Sequence, residues 1–120
     1  MENLSQSIED YLESLLKLES SNGVRITDLA NFMEVSKASA NDAVGRLKKL
    51  NYVSQERYGN IFITESGKKI AEKIMEKHNV LTRFLHEHLK VSKKNAELDA
   101  CQIEHIISDE TYKKIKKILK

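Results

Sequence analysis

Proline is absent from this chain of 120 residues, and glycine occurs at only four positions. These are the two residue types that interrupt a helix most strongly. Between the glycines, apolar side chains recur every three or four residues, which is the spacing of an amphipathic helix. We therefore predict a mainly α-helical protein.

The first half of the chain has the pattern of a winged helix-turn-helix. Helical spacing predicts a first helix over about residues 5–20, with Ser5 or Ser7 as its N-terminal cap. A short second helix capped by Thr27 and a third helix capped by Ser36 follow, joined by a tight turn. Two short β-branched or aromatic runs then flank the sequence ERYGN, which predicts a small β-hairpin as the wing.

The second half of the chain is predicted to be helical. Thr64 is the predicted cap of a long helix over about residues 65–90. A helix over about residues 94–107 and a final helix within DETYKKIKKILK follow. The two predicted domains, residues 1–66 and 67–120, meet within continuous structure.

Charge is unevenly distributed along the chain. Residues 1–66 contain 7 Lys and Arg against 10 Asp and Glu, whereas residues 67–120 contain 13 against 8. A net acidic domain is a poor match for nucleic acid, but residues 36–58 contain five basic and two acidic residues and could contact phosphates. The third helix and the wing are therefore the predicted DNA-binding surface.

The third helix supplies most of the candidate DNA contacts, because the N-terminal residues of a recognition helix enter the major groove. The candidates near its start are Ser36, Lys37, Ala38, Ser39 and Asp42. The candidates for phosphate contacts are Arg46, Lys48 and Arg57. Asp42 is unusual in this place, since a carboxylate near phosphate is unfavourable, although it can accept a hydrogen bond from a cytosine amine.

The segment DACQIEH, residues 99–105, contains the one cysteine of the chain. Because an internal disulfide needs a second cysteine, this thiol is a buried side chain, a reactive group or a metal ligand. Cys101, Glu104 and His105 share one helix face, since residues three and four positions apart are neighbours on a helical surface.

Two further places in the sequence offer metal-binding groups. Asp10 and Glu13 lie one turn apart on the first helix, and His78 lies on the apolar stripe of the long helix, where a polar ring needs a partner. Carboxylate, imidazole and thiolate groups together suit a first-row divalent metal ion. Taken singly, each feature has an ordinary structural explanation as a solvated acidic pair, a hydrogen-bonded core histidine or a buried cysteine.

Three segments, SIEDYLE, KHNVLTRFL and DACQIEHIISDE, resemble the diphtheria-toxin-repressor family, also called the iron-dependent or manganese-transport regulators. The resemblance extends over essentially the whole chain. It implies a winged-helix domain followed by a helical dimerisation domain, a homodimer, and a divalent metal ion, bound between the domains, that activates binding to operator DNA. The SH3-like domain of the larger members is not expected in a chain of this length.

The resemblance implies six metal ligands: Asp10, Glu13, His78, Cys101, Glu104 and His105. Asp10 and Glu13 are residue types of the manganese branch, whereas Cys101 is the type found in the iron branch. A thiolate favours Fe²⁺, with Co²⁺, Ni²⁺ or Zn²⁺ as substitutes, and the carboxylates favour Mn²⁺, so both ions stay open. Thr82 and Glu97 depart from the iron branch at its ancillary site, and Glu97 is a reserve ligand.

We therefore predict a metal-dependent transcriptional repressor, not an enzyme. A cytoplasmic location is expected, because the sequence contains no apolar run that could cross a bilayer and no secretion signal. The main alternative is a winged-helix regulator that senses a small molecule or a partner protein without metal. Further alternatives are a structural metal site and a hydrolytic metal enzyme, which would need an open coordination position and a substrate pocket.

Overall fold

The structure is a computed structural model that describes residues 5–56 and 59–119. Within these residues the chain forms six α-helices and one two-stranded antiparallel sheet, so the predicted mainly helical fold with a hairpin wing is confirmed. The elements are α1 Gln6–Leu18, α2 Ile26–Met33, α3 Lys37–Lys49, β1 Val53–Gln55, β2 Ile61–Ile63, α4 Glu65–Arg83, α5 Lys93–Ile103 and α6 Asp109–Ile118.

The chain divides into two compact units, Met1–Glu72 and Lys73–Lys120. In the first unit the apolar faces of α1, α2 and α3 form a core together with the hairpin. Its most completely buried large side chains are Leu12, Leu15, Leu29, Val44, Leu47 and Ile61. The hairpin pairs Val53 with Ile63 and Gln55 with Ile61, and Ile61 also exchanges backbone hydrogen bonds with Val24.

Side-chain hydrogen bonds cap the starts of several helices, and three of the four N-terminal caps predicted from the sequence are confirmed. The hydroxyls of Ser5, Ser36 and Thr64 accept hydrogen bonds from backbone N–H groups three residues later, at 3.0 to 3.3 Å. The predicted cap at Thr27 is wrong, because α2 begins at Ile26 and is preceded by Arg25, whose side chain makes no capping hydrogen bond. Ile26 packs against the core, which favours an earlier helix start.

The predicted long helix over about residues 65–90 is present, but its last part has a different helical geometry. The α-helical pattern ends at Arg83, and a π-helical turn over Phe84–His88 follows, in which the N–H of Leu89 donates to the carbonyl of Phe84 at 3.2 Å. Lys90 then takes a left-handed conformation with φ of 61°, which ends the helical segment.

The second unit packs α4 and α5 through small and branched side chains. Ile74 and Leu81 of α4 and Ala96 and Ala100 of α5 are buried. On α6, Lys116 hydrogen-bonds to Glu76 of α4, and the ammonium groups of Lys77 and Lys116 lie 5.8 and 5.9 Å from the centre of the Tyr112 ring. No helix in the described residues is long and apolar enough to cross a membrane.

Replacing Gly45 by alanine is expected to raise the free energy of unfolding by about 1 kcal/mol, because glycine is the poorer helix former in the interior of α3. A Cβ at this position would meet no atom within 4 Å, so the methyl group causes no clash. Urea denaturation measures the change. Gly67→Ala is the matched control: its Cβ would clash with the backbone oxygen of Tyr52, so it should destabilise the protein. Equal effects of the two substitutions would contradict this account.

The hydrogen bond from Lys116 holds the pKa of Glu76 below its ordinary value of 4.5. Because this pKa is lower in the folded chain than in the unfolded chain, the contact stabilises the fold above the ordinary pKa, and the stabilisation is lost as pH falls through the folded-state pKa. We expect the pKa of Glu76, measured by NMR titration of its carboxyl carbon, to rise towards 4.5 in Lys116→Met. An unchanged pKa in this variant would show that Lys116 is not the cause.

Candidate metal centre

Three metal-binding side chains converge within the second unit. His78 comes from the second half of α4, Cys101 comes from the last turn of α5, and Glu104 is the C-cap residue that directly follows α5. The Nδ1 atom of His78 lies 2.8 Å from Oε1 of Glu104 and 3.8 Å from Sγ of Cys101. One ligand atom from each of the three residues lies within 4.8 Å of the other two.

Local structure explains how these residues come together. Ser92 caps the start of α5, and the fully buried Ala96 and Ala100 lie on the inner face of this helix. The backbone N–H of Glu104 still donates to the carbonyl of Ala100 at 2.9 Å, which fixes the direction in which the helix ends. The thiol and the carboxylate, three residues apart, are therefore presented side by side to α4.

The three groups differ in burial. The side chain of Glu104 is 1% exposed, His78 is partly buried, and Cys101 is exposed. A buried carboxylate is costly unless hydrogen bonds or cations compensate it, and the imidazole of His78 provides one such contact. The cluster therefore has a buried end, formed by the carboxyl group of Glu104, and an end that is open to solvent.

The arrangement fits a divalent transition metal ion. Imidazole and thiolate ligands bind such ions at about 2.0 to 2.3 Å, so two ligands of one tetrahedral ion are separated by roughly 3 to 4 Å. The separations of 2.8 and 3.8 Å measured from Nδ1 of His78 are close to this range. Nitrogen, sulfur and oxygen donors together suit Fe²⁺, Co²⁺ and Zn²⁺ better than Mg²⁺ or Ca²⁺.

His105 lies next to this cluster but outside the group of three. Its Nε2 is 4.0 Å from Oε2 of Glu104, and its side chain is 3% exposed. The sequence predicts that Glu104 and His105 lie on a continuing helix, but α5 ends at Ile103. The backbone then turns, and the N–H groups of His105 and Ile106 each donate to the carbonyl three residues earlier. The role of His105 as a ligand stays a prediction.

Asp10 and Glu13 lie in the other unit, one turn apart on α1 as predicted. The carboxylate of Glu13 forms an ion pair of 3.2 Å with Lys17. Glu97 is exposed on α5. The roles of these three residues as metal ligands also stay predictions.

The predicted DNA-binding residues that the structure describes lie on α3 or at its cap. Ala40, Ala43, Val44 and Leu47 are buried, so the opposite face of α3 is open. The exposed predicted residues are Ser36, Lys37, Ala38, Ser39, Asp42, Arg46 and Lys48. Arg57 lies outside the described residues.

Two features of α3 are absent from the predictions made from sequence. Asp42 forms an ion pair of 3.5 Å with Arg46, so the carboxylate that looked unfavourable near phosphate has a cationic partner. Burial is the main cause that raises the pKa of Tyr11, and the negative charge of Asp42 is the second cause. Asn41 is exposed beside it and is missing from the predicted set, although an amide can hydrogen-bond to adenine. The helical spacing that puts Asn41 on the exposed face of α3 could have identified it from the sequence.

Family comparisons match both halves of the chain in order. Residues 3–61 match the family described as "Iron dependent repressor, N-terminal DNA binding domain". Residues 64–120 match "Iron dependent repressor, metal binding and dimerisation domain". An uncharacterized HTH-type transcriptional regulator of Methanocaldococcus jannaschii is 36% identical over 94% of this chain and 92% of its own length. The HTH-type transcriptional regulator MntR of Oceanobacillus iheyensis is 35% identical over 85% of this chain and 69% of its own length.

Solved structures have the same fold. A hypothetical protein from Sulfolobus solfataricus superposes with a TM-score of 0.79 at 21% identity, over 97% of this chain and 89% of that chain. A manganese-dependent transcriptional repressor in complex with manganese gives a TM-score of 0.81 at 25% identity, over 93% of this chain and 52% of that chain, so this chain spans about half of its length. With both domains matched and with relatives above 30% identity over most of its length, the chain belongs to the iron-dependent repressor family.

Proposed function

We propose that this protein is a metal-dependent transcriptional repressor that binds operator DNA as a homodimer when it is loaded with Fe²⁺ or Mn²⁺. The observation that carries the proposal is the cluster of His78, Cys101 and Glu104, whose ligand atoms lie within 4.8 Å of one another in a chain of this family. A cytoplasmic location follows from action on DNA.

His78, Cys101 and Glu104 would hold the ion through nitrogen, sulfur and oxygen. We propose Asp10, Glu13 and His105 as the remaining ligands, because the resemblance in sequence implies them. A bound divalent ion supplies positive charge that offsets the carboxylates of the site. Co²⁺, Ni²⁺ and Zn²⁺ are expected to substitute, since imidazole and thiolate ligands accept all of them.

Metal would control DNA affinity by changing the population of the competent conformation. The apparent dissociation constant of a ligand rises when only a fraction of the molecules can bind it. Without metal, the carboxylates of the proposed ligand set repel one another, which disfavours the conformation that brings them together. Loaded protein would therefore bind operator DNA more tightly, with no chemical reaction at the site.

On the DNA side, α3 would serve as the recognition helix. The first turn of α3 has an exposed outer face, and Arg46 and Lys48 add positive charge nearby. A homodimer would present two such helices to half-sites about one turn of DNA apart, roughly 34 Å. The matched dimerisation domain supports this assembly.

The proposal predicts that DNA binding requires metal. Protein loaded with Mn²⁺, or with Fe²⁺ under anaerobic conditions, should retain selected duplexes from a randomised double-stranded pool in a gel shift, and the apparent dissociation constant should rise at least about tenfold with chelator. Binding that chelator leaves unchanged would overturn the proposal and favour a regulator that senses a small molecule or partner protein.

Thermal unfolding of the same samples separates a sensor from a structural metal site. The apo-protein is expected to unfold cooperatively, because the core of the first unit and the packing of α4 on α5 involve no metal. Metal should raise the melting temperature through binding to the folded state alone. An unfolded apo-protein would mean that the metal ion has a structural role.

Cys101→Ala is expected to weaken metal binding by about tenfold or more while the fold is retained, because it removes an exposed thiolate donor and no buried side chain. Isothermal titration with Co²⁺ measures the affinity, and loss of the thiolate-to-cobalt absorption band reports the sulfur ligand directly. Asp99→Ala is the matched control, since Asp99 is an exposed residue on the same helix outside the cluster. A variant of Cys101 that keeps wild-type affinity and the band would contradict the assignment.

A further inference from the structure

The face of α3 opposite the core has an unusual composition. Ala38, Asp42, Gly45 and Lys49 follow one another at spacings of four, three and four residues, so they form one outward ridge, and Arg46 lies beside it. Small residues (Ala38 and Gly45) and charged residues (Asp42 and Lys49) thus alternate along the ridge.

Asp42 and Arg46 form an ion pair that the fold does not need. Nη2 of Arg46 lies 3.5 Å from Oδ2 of Asp42, and their side chains are 66% and 71% exposed. An ion pair so exposed contributes little to stability. The pair is therefore accessible to a partner molecule.

The neighbours of the pair leave it accessible. Ala38 lies one turn before Asp42, and Gly45 precedes Arg46. A Cβ at Gly45 would meet no atom within 4 Å, so the absence of a side chain there is not required for packing within the protein. Side chains of helices point towards the N-terminus, which directs Arg46 to the half of α3 that contacts base edges in a recognition helix.

The chemistry of the pair matches one base pair. In the major groove a G·C pair presents the acceptors N7 and O6 of guanine beside the amine donor N4 of cytosine. A guanidinium donates two hydrogen bonds to the guanine acceptors, and a carboxylate accepts from the cytosine amine. A lone carboxylate on this surface would be repelled by phosphates, whereas a carboxylate paired with arginine is compensated.

We propose that Asp42 and Arg46 act together to read one G·C base pair in the operator. Arg46 donates to guanine, and Asp42 both orients the guanidinium and accepts from the cytosine amine. This inference rests on the proposed function, and it assigns to Arg46 a base contact in place of the phosphate contact predicted from sequence.

The experiment compares sequence preferences of variants. Preferred duplexes are first selected from a randomised pool with the wild-type protein loaded with Mn²⁺, with a parallel anaerobic series in Fe²⁺. Dissociation constants are then measured by fluorescence anisotropy for the preferred duplex and for each single base-pair replacement. Asp42→Ala and Arg46→Ala should both lose about 5- to 100-fold of preference at the same G·C position and keep the preferences elsewhere.

Asp28→Ala is the matched control. Asp28 forms an exposed ion pair of 3.6 Å with Arg25 at the start of α2. Its replacement changes the net charge by the same amount as replacement of Asp42. We expect it to strengthen binding to all duplexes alike, because it removes a negative charge and no base contact. Thermal unfolding should be nearly unchanged in all three variants, since the replaced side chains are exposed.

Two results would overturn the inference. If Asp42→Ala binds every duplex more tightly and keeps all preferences, the carboxylate only repels DNA. If Arg46→Ala weakens all duplexes equally and keeps all preferences, Arg46 contacts phosphate. Either result leaves the proposed function intact, whereas a wild-type protein that selects no duplex with either metal would overturn the proposed function itself and this inference with it.

Discussion

A nearly buried carboxylate is the constraint on which the second unit depends. A charge removed from water must be compensated by close donors or cations, and Glu104 obtains one such contact from His78 at 2.8 Å, 26 positions earlier in the chain. That contact joins α4 to α5 and leaves the thiol of Cys101 beside the pair. Beside the apolar packing of these helices, the polar contact between them therefore uses atoms that would also bind metal, so a change in packing would change the site.

Apart from the cap at Thr27, the sequence predicts those features that depend on neighbouring residues. The caps at Ser5, Ser36 and Thr64 are local hydrogen bonds, and the buried stripe of α3 follows from helical spacing alone. The hairpin follows from two short β-forming runs around a turn. For the same reason the ion pair of Asp42 with Arg46, four residues apart on one helix, could have been foreseen from spacing.

Features that depend on distant contacts could not be predicted in this way. Periodicity extends α5 through His105, but the helix ends at Ile103 and a turn follows. The long helix changes to π-helical geometry at Phe84 and stops before Lys90, which has a left-handed backbone conformation. The pattern of apolar residues does not predict this change. The residue types of the candidate site could be identified from sequence, but the closeness of His78 to Glu104 depends on how two helices pack.

The position of Glu104 at the end of α5 has an electrostatic consequence. A helix carries partial negative charge at its C-terminus, which adds to the charge of the carboxylate and favours cations at this point. A metal ion held by His78 and Glu104 would therefore be attracted both by the carboxylate and by the aligned carbonyl groups of the helix that ends there.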